Sequence, residues 1–271
     1  MIEDLMTKFW KMHGAGNDFV LLDCRERAFT GDHALLSSRN FGIGCDQIVE
    51  VHNGAESGHY ILRFYNQDGS EAGACGNGTR CGAAWLMQET GLEALNFTIA
   101  NRQVMAWQDK GDIWVNMGSA DFTAANIPAP EISLPQALML QDTPITEAMA
   151  CSMGNPHLVL VGAEEFSDEF VRTQGARLEV HEMFPEQTNV GFLHVSQDCL
   201  TLRVWERGVG ETLACGSGAC AAFAIARKTG ICLKNTIKIH LSGGVLTIKA
   251  QGADMVMTGP VAFVAEGVWH G

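Results

Sequence analysis

Apolar and β-branched residues fall along this chain in short runs separated by polar and glycine-rich breaks. FVLLDC at 19–24, YILRFY at 60–65, FTIA at 97–100 and IWVNM at 113–117 predict strands. HLVLVG at 157–162, LTLRVW at 200–205, TIKIHL at 236–241, VLTIKA at 245–250 and MVMTG at 255–259 continue the series. Three segments, 33–40, 77–90 and 217–229, predict helices, and the last two each meet a stop glycine, Gly91 and Gly230. Residues 121–135 read DFTAANIPAPEISLP, where three prolines remove backbone donors and discourage regular structure. This stretch is expected to connect two lobes.

The strongest internal signal is a repeat at an offset of 140 residues. RFYNQDGSEAGACGNG (63–78) aligns without a gap on RVWERGVGETLACGSG (203–218). Each copy is a strand, a glycine-containing loop, Ala-Cys-Gly-x-Gly and an alanine-rich helix. The offset is about half of the 271 residues, so two copies of one lobe are expected: 1–120 as the N-terminal lobe and 121–261 as the C-terminal lobe. The tail from about 262 to 271 is expected to return to the first.

Composition narrows the function. A chain that is 46% apolar and 18% charged suits a folded core. Its net charge of −13 repels phosphate backbones and anionic lipid, so neither a nucleic acid nor a membrane is an expected partner. The start, MIEDLMTKFW, lacks an apolar signal core, and no run reaches membrane-spanning length, so a cytoplasmic location is expected. Nine cysteines, an odd count without a Cys-x-x-Cys pair, read as reduced thiols. Cys75–Cys81 and Cys215–Cys220 lack matching ligand pairs, so no metal is expected. Cys24, Cys45, Cys151, Cys199 and Cys232 are expected to be small buried apolar residues, and Cys81 and Cys220 helix-face packing residues.

Cys75 and Cys215 carry the chemistry. At a helix start, unpaired N–H groups and the positive helix end stabilise a thiolate. The N–H groups of Gly76, Asn77, Gly216 and Ser217 can hold a carboxylate or a developing enolate. One thiolate can then remove an α-proton while a thiol on the opposite face delivers another, inverting the centre. A lone Gly-x-Gly before a helix more often marks a tight turn; two copies, each with a cysteine, favour chemistry. No Rossmann fingerprint and no Schiff-base lysine context occurs, so a cofactor-independent racemase or epimerase is the direct reading.

HGAGNDF (13–19), GIGCDQ (42–47), FYNQDGSEAGACGNGTRC (64–81), MGNPH (153–157), TNVGF (188–192) and ERGVGETLACGSGACA (206–221) together resemble the diaminopimelate epimerase family, in order and over nearly the whole chain. The resemblance implies an α/β (α+β) fold of two pseudo-symmetric lobes. Each is a mixed, mostly antiparallel sheet curled around a central helix. It implies interconversion of LL- and meso-diaminopimelate, in lysine and peptidoglycan precursor synthesis, without cofactor or metal, in a homodimer. It makes Cys75 and Cys215 the two bases and Arg207 the arginine for the distal carboxylate. Asn17, Gln47, Asn66, Asn155 and Asn189 become amide ligands and Glu206 a supporting acid. His157 is a possible auxiliary residue or a structural histidine. Cys45 and Thr79 depart from residues frequent in the family, phenylalanine and alanine. Competing readings are a relative acting on proline, hydroxyproline or histidine, and an anion-binding module with inert thiols. Against the proline type, the loops here read ACGNG and LACGSG.

Overall fold

A computed structural model describes residues 6–128, 133–140, 143–196 and 199–270. The elements, in chain order, are β1 (Thr7–Gly14), β2 (Asn17–Asp23), α1 (His33–Ser37), β3 (Gln47–Asn53), β4 (His59–Asn66), β5 (Glu71–Ala72), α2 (Gly76–Thr90), β6 (Ala94–Ile99), β7 (Arg102–Asp109) and β8 (Asp112–Ser119). Then come α3 (Leu134–Ala137), β9 (Ile145–Ser152), β10 (Pro156–Gly162), α4 (Asp168–Glu179), β11 (Asn189–Val195), β12 (Leu200–Glu206), β13 (Gly210–Thr212), α5 (Gly216–Lys228), β14 (Thr236–Leu241), β15 (Gly244–Gln251), β16 (Asp254–Thr258) and β17 (Ala262–Trp269). The fold is mixed α and β, mostly sheet.

Two compact units divide the chain. The first takes the residues up to Asn116 and those from Thr258 onward; the second takes Met117–Met257. In the first unit β1 lies between β17 and β2, antiparallel to both. β2 pairs β3 in parallel, β3 pairs β4 antiparallel, and β4 pairs β5 antiparallel and β6 in parallel. β6–β7 and β7–β8 are antiparallel hairpins. The second unit runs through the same kinds of pairing: β9–β10 antiparallel, β10–β11 parallel, β11–β12 and β12–β13 antiparallel, β12–β14 parallel, β14–β15 antiparallel.

α2 packs against β1, β2, β3, β6 and β7, and α5 against β9, β10, β11, β12 and β15. Both helices are buried along almost their whole length, Asn77–Gly78 through Trp85–Met87 in one and Gly218 through Ala226 in the other. Alanine and glycine make this possible, because small side chains let a helix lie close to strands on several sides. A Cβ on Gly78 would come within 2.6 Å of the Phe64 ring and 3.0 Å of the Phe19 ring. Gly91 ends α2 in a left-handed conformation at φ 72°, its N–H bonded to the Met87 carbonyl.

Several local expectations need correction. The helix expected over 33–40 stops at Ser37, because Ser38 turns extended. α4, capped by Ser167, was not foreseen, since its polar faces hide the apolar period. β1, β3, β5, β7, β9, β11, β13 and β17 lie outside the predicted strands too. Cys199 is half-exposed rather than buried, its Sγ 3.3 Å from Ser196 Oγ, because it sits in the turn before β12. Of the 121–135 connection, 129–132 lie outside the described residues; Asp121 bridges to Ser152 and Leu134 opens α3.

Candidate active site

In the first unit the cysteine loop closes β5 onto α2. Cys75 is the N-cap: its backbone is extended (φ −141°, ψ 113°), and Gly78 N–H donates to Sγ at 3.5 Å. The side chain is thus engaged with the first helical turn, where orphan N–H groups gather. Thr79 donates both its N–H and its hydroxyl to the Cys75 carbonyl, each at 2.8 Å. The thiol is half-exposed.

Three strand ends of this unit carry the expected amides. The β1–β2 hairpin turns through Ala15 and Gly16, both at positive φ (53° and 84°), the geometry of a two-residue hairpin turn. That turn delivers Asn17, whose Nδ2 lies 3.9 Å from Cys75 Sγ. Gln47 opens β3 and Asn66 ends β4, in register opposite each other; Gln47 Nε2 donates to Asn66 Oδ1 at 3.1 Å. Asn66 Nδ2 in turn reaches Ser70 Oγ at 3.1 Å. Asn17 Oδ1 and Gln47 Oε1 are buried acceptors with no hydrogen-bond partner among the described residues. Buried acceptors are costly when unmet, so both suit donors on a ligand.

The loop that presents Gln47 is pinned by charges that sequence reasoning passed over. Asp18 and Asp46 exchange bonds, each backbone N–H donating to the other's carboxylate at 3.0 Å. Arg39 bridges both acids at 2.7 Å, and Lys11 joins at Asp18. These cations hold the Asp18 carboxyl well below the usual range although burial pushes it up.

Asn77 was expected to offer its backbone N–H, and its side chain turns inward. It is buried, and Oδ1 accepts from Arg80 Nη2 at 3.1 Å. Arg80 itself is fully buried, and the same Nη2 reaches the Pro260 carbonyl at 3.5 Å. The sequence clue was an arginine leading an otherwise apolar helix, CGAAWLM.

In the second unit Cys215 caps α5 in nearly the same way (φ −120°, ψ 113°), with Gly218 N–H donating to Sγ at 3.4 Å. Ser217 Oγ lies 3.5 Å from the sulfur, and Cys215 is buried. A Cβ on Gly218 would press on that sulfur at 3.3 Å, so glycine keeps the space beside it open.

The remaining expected residues of this unit again occupy strand ends. Asn189 opens β11, buried; its Nδ2 donates to the Pro156 carbonyl at 2.9 Å and its Oδ1 accepts from Arg207 N–H at 3.1 Å. Its amide therefore clamps the turn that carries Arg207. The exposed Arg207 guanidinium touches the Glu186 carbonyl at 2.9 Å. Glu206 ends β12 and accepts from Thr212 Oγ1. Glu211 anchors the loop through a two-point contact with Arg203 (2.7 and 2.9 Å). His157 sits in register beside Asn189 and donates from Nε2 to Asn155 Oδ1 at 3.1 Å. Burial first, then the Arg207 charge, drives its pKa down from 6.5 to about 3, so the ring is neutral at physiological pH. Its observed contact is the hydrogen bond that holds the Asn155 amide.

Burial sets the character of most of the other thiols. Cys24, Cys81 and Cys151 are pushed up to about 12 by burial. Cys45 and Cys220 are fully buried, Cys45 within the apolar cluster of Phe9, Val20 and Ile48.

Comparison with known proteins shows the family. A family model described as diaminopimelate epimerase matches residues 9–123 and 149–264. Diaminopimelate epimerase of Acidiphilium cryptum is 41% identical over 268 residues, covering 96% of this chain and 95% of that one. That of Xanthomonas campestris pv. campestris is 42% identical over 280 residues, covering 97% and 96%. Among solved structures, a hydroxyproline epimerase from Agrobacterium vitis is similar with a TM-score of 0.71 at 12% identity, covering 99% of this chain and 93% of that one. A phenazine biosynthesis PhzF-family protein from Enterococcus faecalis scores 0.71 at 15% identity, covering 97% and 99%. At such identities the structures speak for the fold alone, whereas the family model and the two relatives place this chain in the diaminopimelate epimerase family.

Proposed function

We propose that the protein is an isomerase that interconverts LL- and meso-diaminopimelate by a two-base reaction at Cys75 and Cys215, in lysine and peptidoglycan precursor synthesis. The observation that carries the reading is the repeated cap: in each unit a cysteine closes a buried helix, and a glycine N–H three residues on meets its sulfur. A sulfur in that position gains as an anion from the orphan N–H groups of the first turn.

The step balances with two thiols. The α-carboxylate is held by the N–H groups that follow each cysteine, including those of Gly76, Asn77, Gly216 and Ser217. One thiolate takes the α-proton, the electron pair passes into the carboxylate as an enolate, and those N–H groups stabilise the charge as it develops. The opposite thiol gives its proton to the other face. The enzyme ends with its two protonation states exchanged, so the pair titrates as a unit.

The distal end of the substrate is the discriminating part. Arg207, exposed and steered by Asn189 and Glu186, suits a carboxylate in bidentate contact. The open acceptors on Asn17 and Gln47 suit ammonium protons, and so do the side-chain oxygens of Asn66, Asn155 and Glu206. The doubled order of strand pairings supports descent of both units from one lobe. Cytoplasmic action and a homodimer belong to the same proposal; among the described residues no helix is long and apolar enough to cross a membrane.

Incubation in deuterium oxide tests it. Deuterium is expected at the α-carbon of diaminopimelate and not of proline, hydroxyproline or histidine. Wash-in with one of those three instead would reassign the substrate, and none with any amino acid would end the reading.

A further inference from the structure

A second cluster of reactive groups lies in the first unit, at residues that the thiol chemistry does not use. Cys24 follows the last residue of β2, and its N–H bonds the Val51 carbonyl. Because β2 and β3 run parallel with Asp23 opposite Val51, Cys24 comes level with His52. Glu50 and His52 are two apart on β3 and so share a face. The three ligating atoms, a thiol sulfur, a carboxylate oxygen and an imidazole nitrogen, all lie within 4.8 Å of one another.

Glu50 is a buried carboxylate, 4% exposed. His52 Nε2 lies 2.9 Å from one of its oxygens and His33 Nε2 2.8 Å from the other. The His33 ring is itself stacked on Tyr65 at 3.8 Å between centroids. A buried acid fixed from one side by an immobilised histidine, with a nitrogen at its other oxygen and a sulfur within 4.8 Å, is the arrangement of a metal ligand with its orienting partner.

We propose that Cys24, Glu50 and His52 bind a divalent transition-metal cation of the zinc class, with His33 orienting the carboxylate. Mixed S, N and O donors suit such an ion. Around it, ligand atoms stand about 3–4 Å apart, so closure from the observed spacing needs side-chain shifts of about 1 Å. Three protein ligands leave a fourth position for water, and the His52 side chain, 24% exposed, marks the route from solvent. The cation takes the place of the hydrogen between His52 and Glu50. The ring hydrogen that His52 shares with Glu50 moves to Nδ1 as Nε2 takes the cation, and Cys24 gives its thiol proton to water. Spacing along the chain argued against a metal because it compared only cysteines close in sequence; this trio is assembled by strand register.

Cobalt titration tests the site on the full chain carrying Cys75→Ala and Cys215→Ala, which removes the two helix-cap thiols as competitors. One Co2+ per chain is expected, with thiolate-to-cobalt charge-transfer absorption in the near ultraviolet that Zn2+ abolishes. In that background Cys24→Ser is expected to lose the band. His52→Asn, at a partly exposed position that leaves the fold intact by circular dichroism, is expected to weaken binding by at least about tenfold. If Cys24→Ser does not fold, His52→Asn alone decides. Absence of the band, or full-strength binding in His52→Asn, would overturn the proposal.

Discussion

Burial decides what His157 does. With an ordinary value of 6.5 and a folded value of about 3, the ring is neutral above pH ~6.5 in both the folded and the unfolded chain, and stability does not depend on it there. Below that pH the unfolded chain binds a proton that the folded one refuses. Stability therefore falls as pH drops, by up to ~1.4 kcal/mol per pH unit, until the folded ring protonates near 3. Urea unfolding at about pH 7 and about pH 5 should show this loss, and His157→Gln should shrink it; equal slopes in the two proteins would refute the assignment. The two caps make the complementary case. Cys75→Ala and Cys215→Ala are each expected to abolish epimerisation, since each face of the α-carbon needs its own acid. Cys→Ser at either site should cost on the order of a hundredfold or more in kcat, because a hydroxyl is a far weaker acid than a thiol. Retained turnover in either alanine variant, measured by coupled assay, would remove that residue from the chemistry.

The two buried helices were the most legible elements, because their signals are local. A cysteine cap, a glycine-rich first turn and a stop glycine lie within one stretch, and the observed α2 and α5 start at Gly76 and Gly216. The glycines inside α2 separate two physical roles. At Gly78 an added Cβ meets buried aromatic rings at 2.6 and 3.0 Å; Gly78→Ala should destabilise by ~1–3 kcal/mol through overpacking. At Gly82 the nearest atoms, of Leu62, stand at 3.6 and 3.8 Å, ordinary contact. Gly82→Ala should then stabilise by ~0.5–1 kcal/mol through helix propensity. Chemical denaturation of both variants checks the opposite signs. Strands such as β3 and β11 were harder to see: QIVEVHN and NVGFLHV are buried on both faces in part, so clean alternation is lost.

For the whole molecule, the chain's last strand matters to its first. β17 pairs along β1 from Thr7↔Trp269 to His13↔Ala262, Trp269 packs on the cluster around Phe9, and Pro260 accepts from Arg80. Removing 261–271 should expose the edge of β1 and lower the thermal midpoint by many degrees, with aggregation through that edge; an unchanged midpoint would show the return strand to be dispensable. The sequence by itself determined the element types near the cysteines, the doubling of the motif and the two thiols, because caps, turns and periodicity act over a few residues. Only the tertiary structure decided that Asn77 turns to Arg80, that Asn189 clamps the Arg207 turn, that His157 stays neutral, and that Glu50 meets His33 and His52 beside Cys24. Each of those outcomes depends on strand register and on exclusion of water, which join residues that local sequence keeps apart.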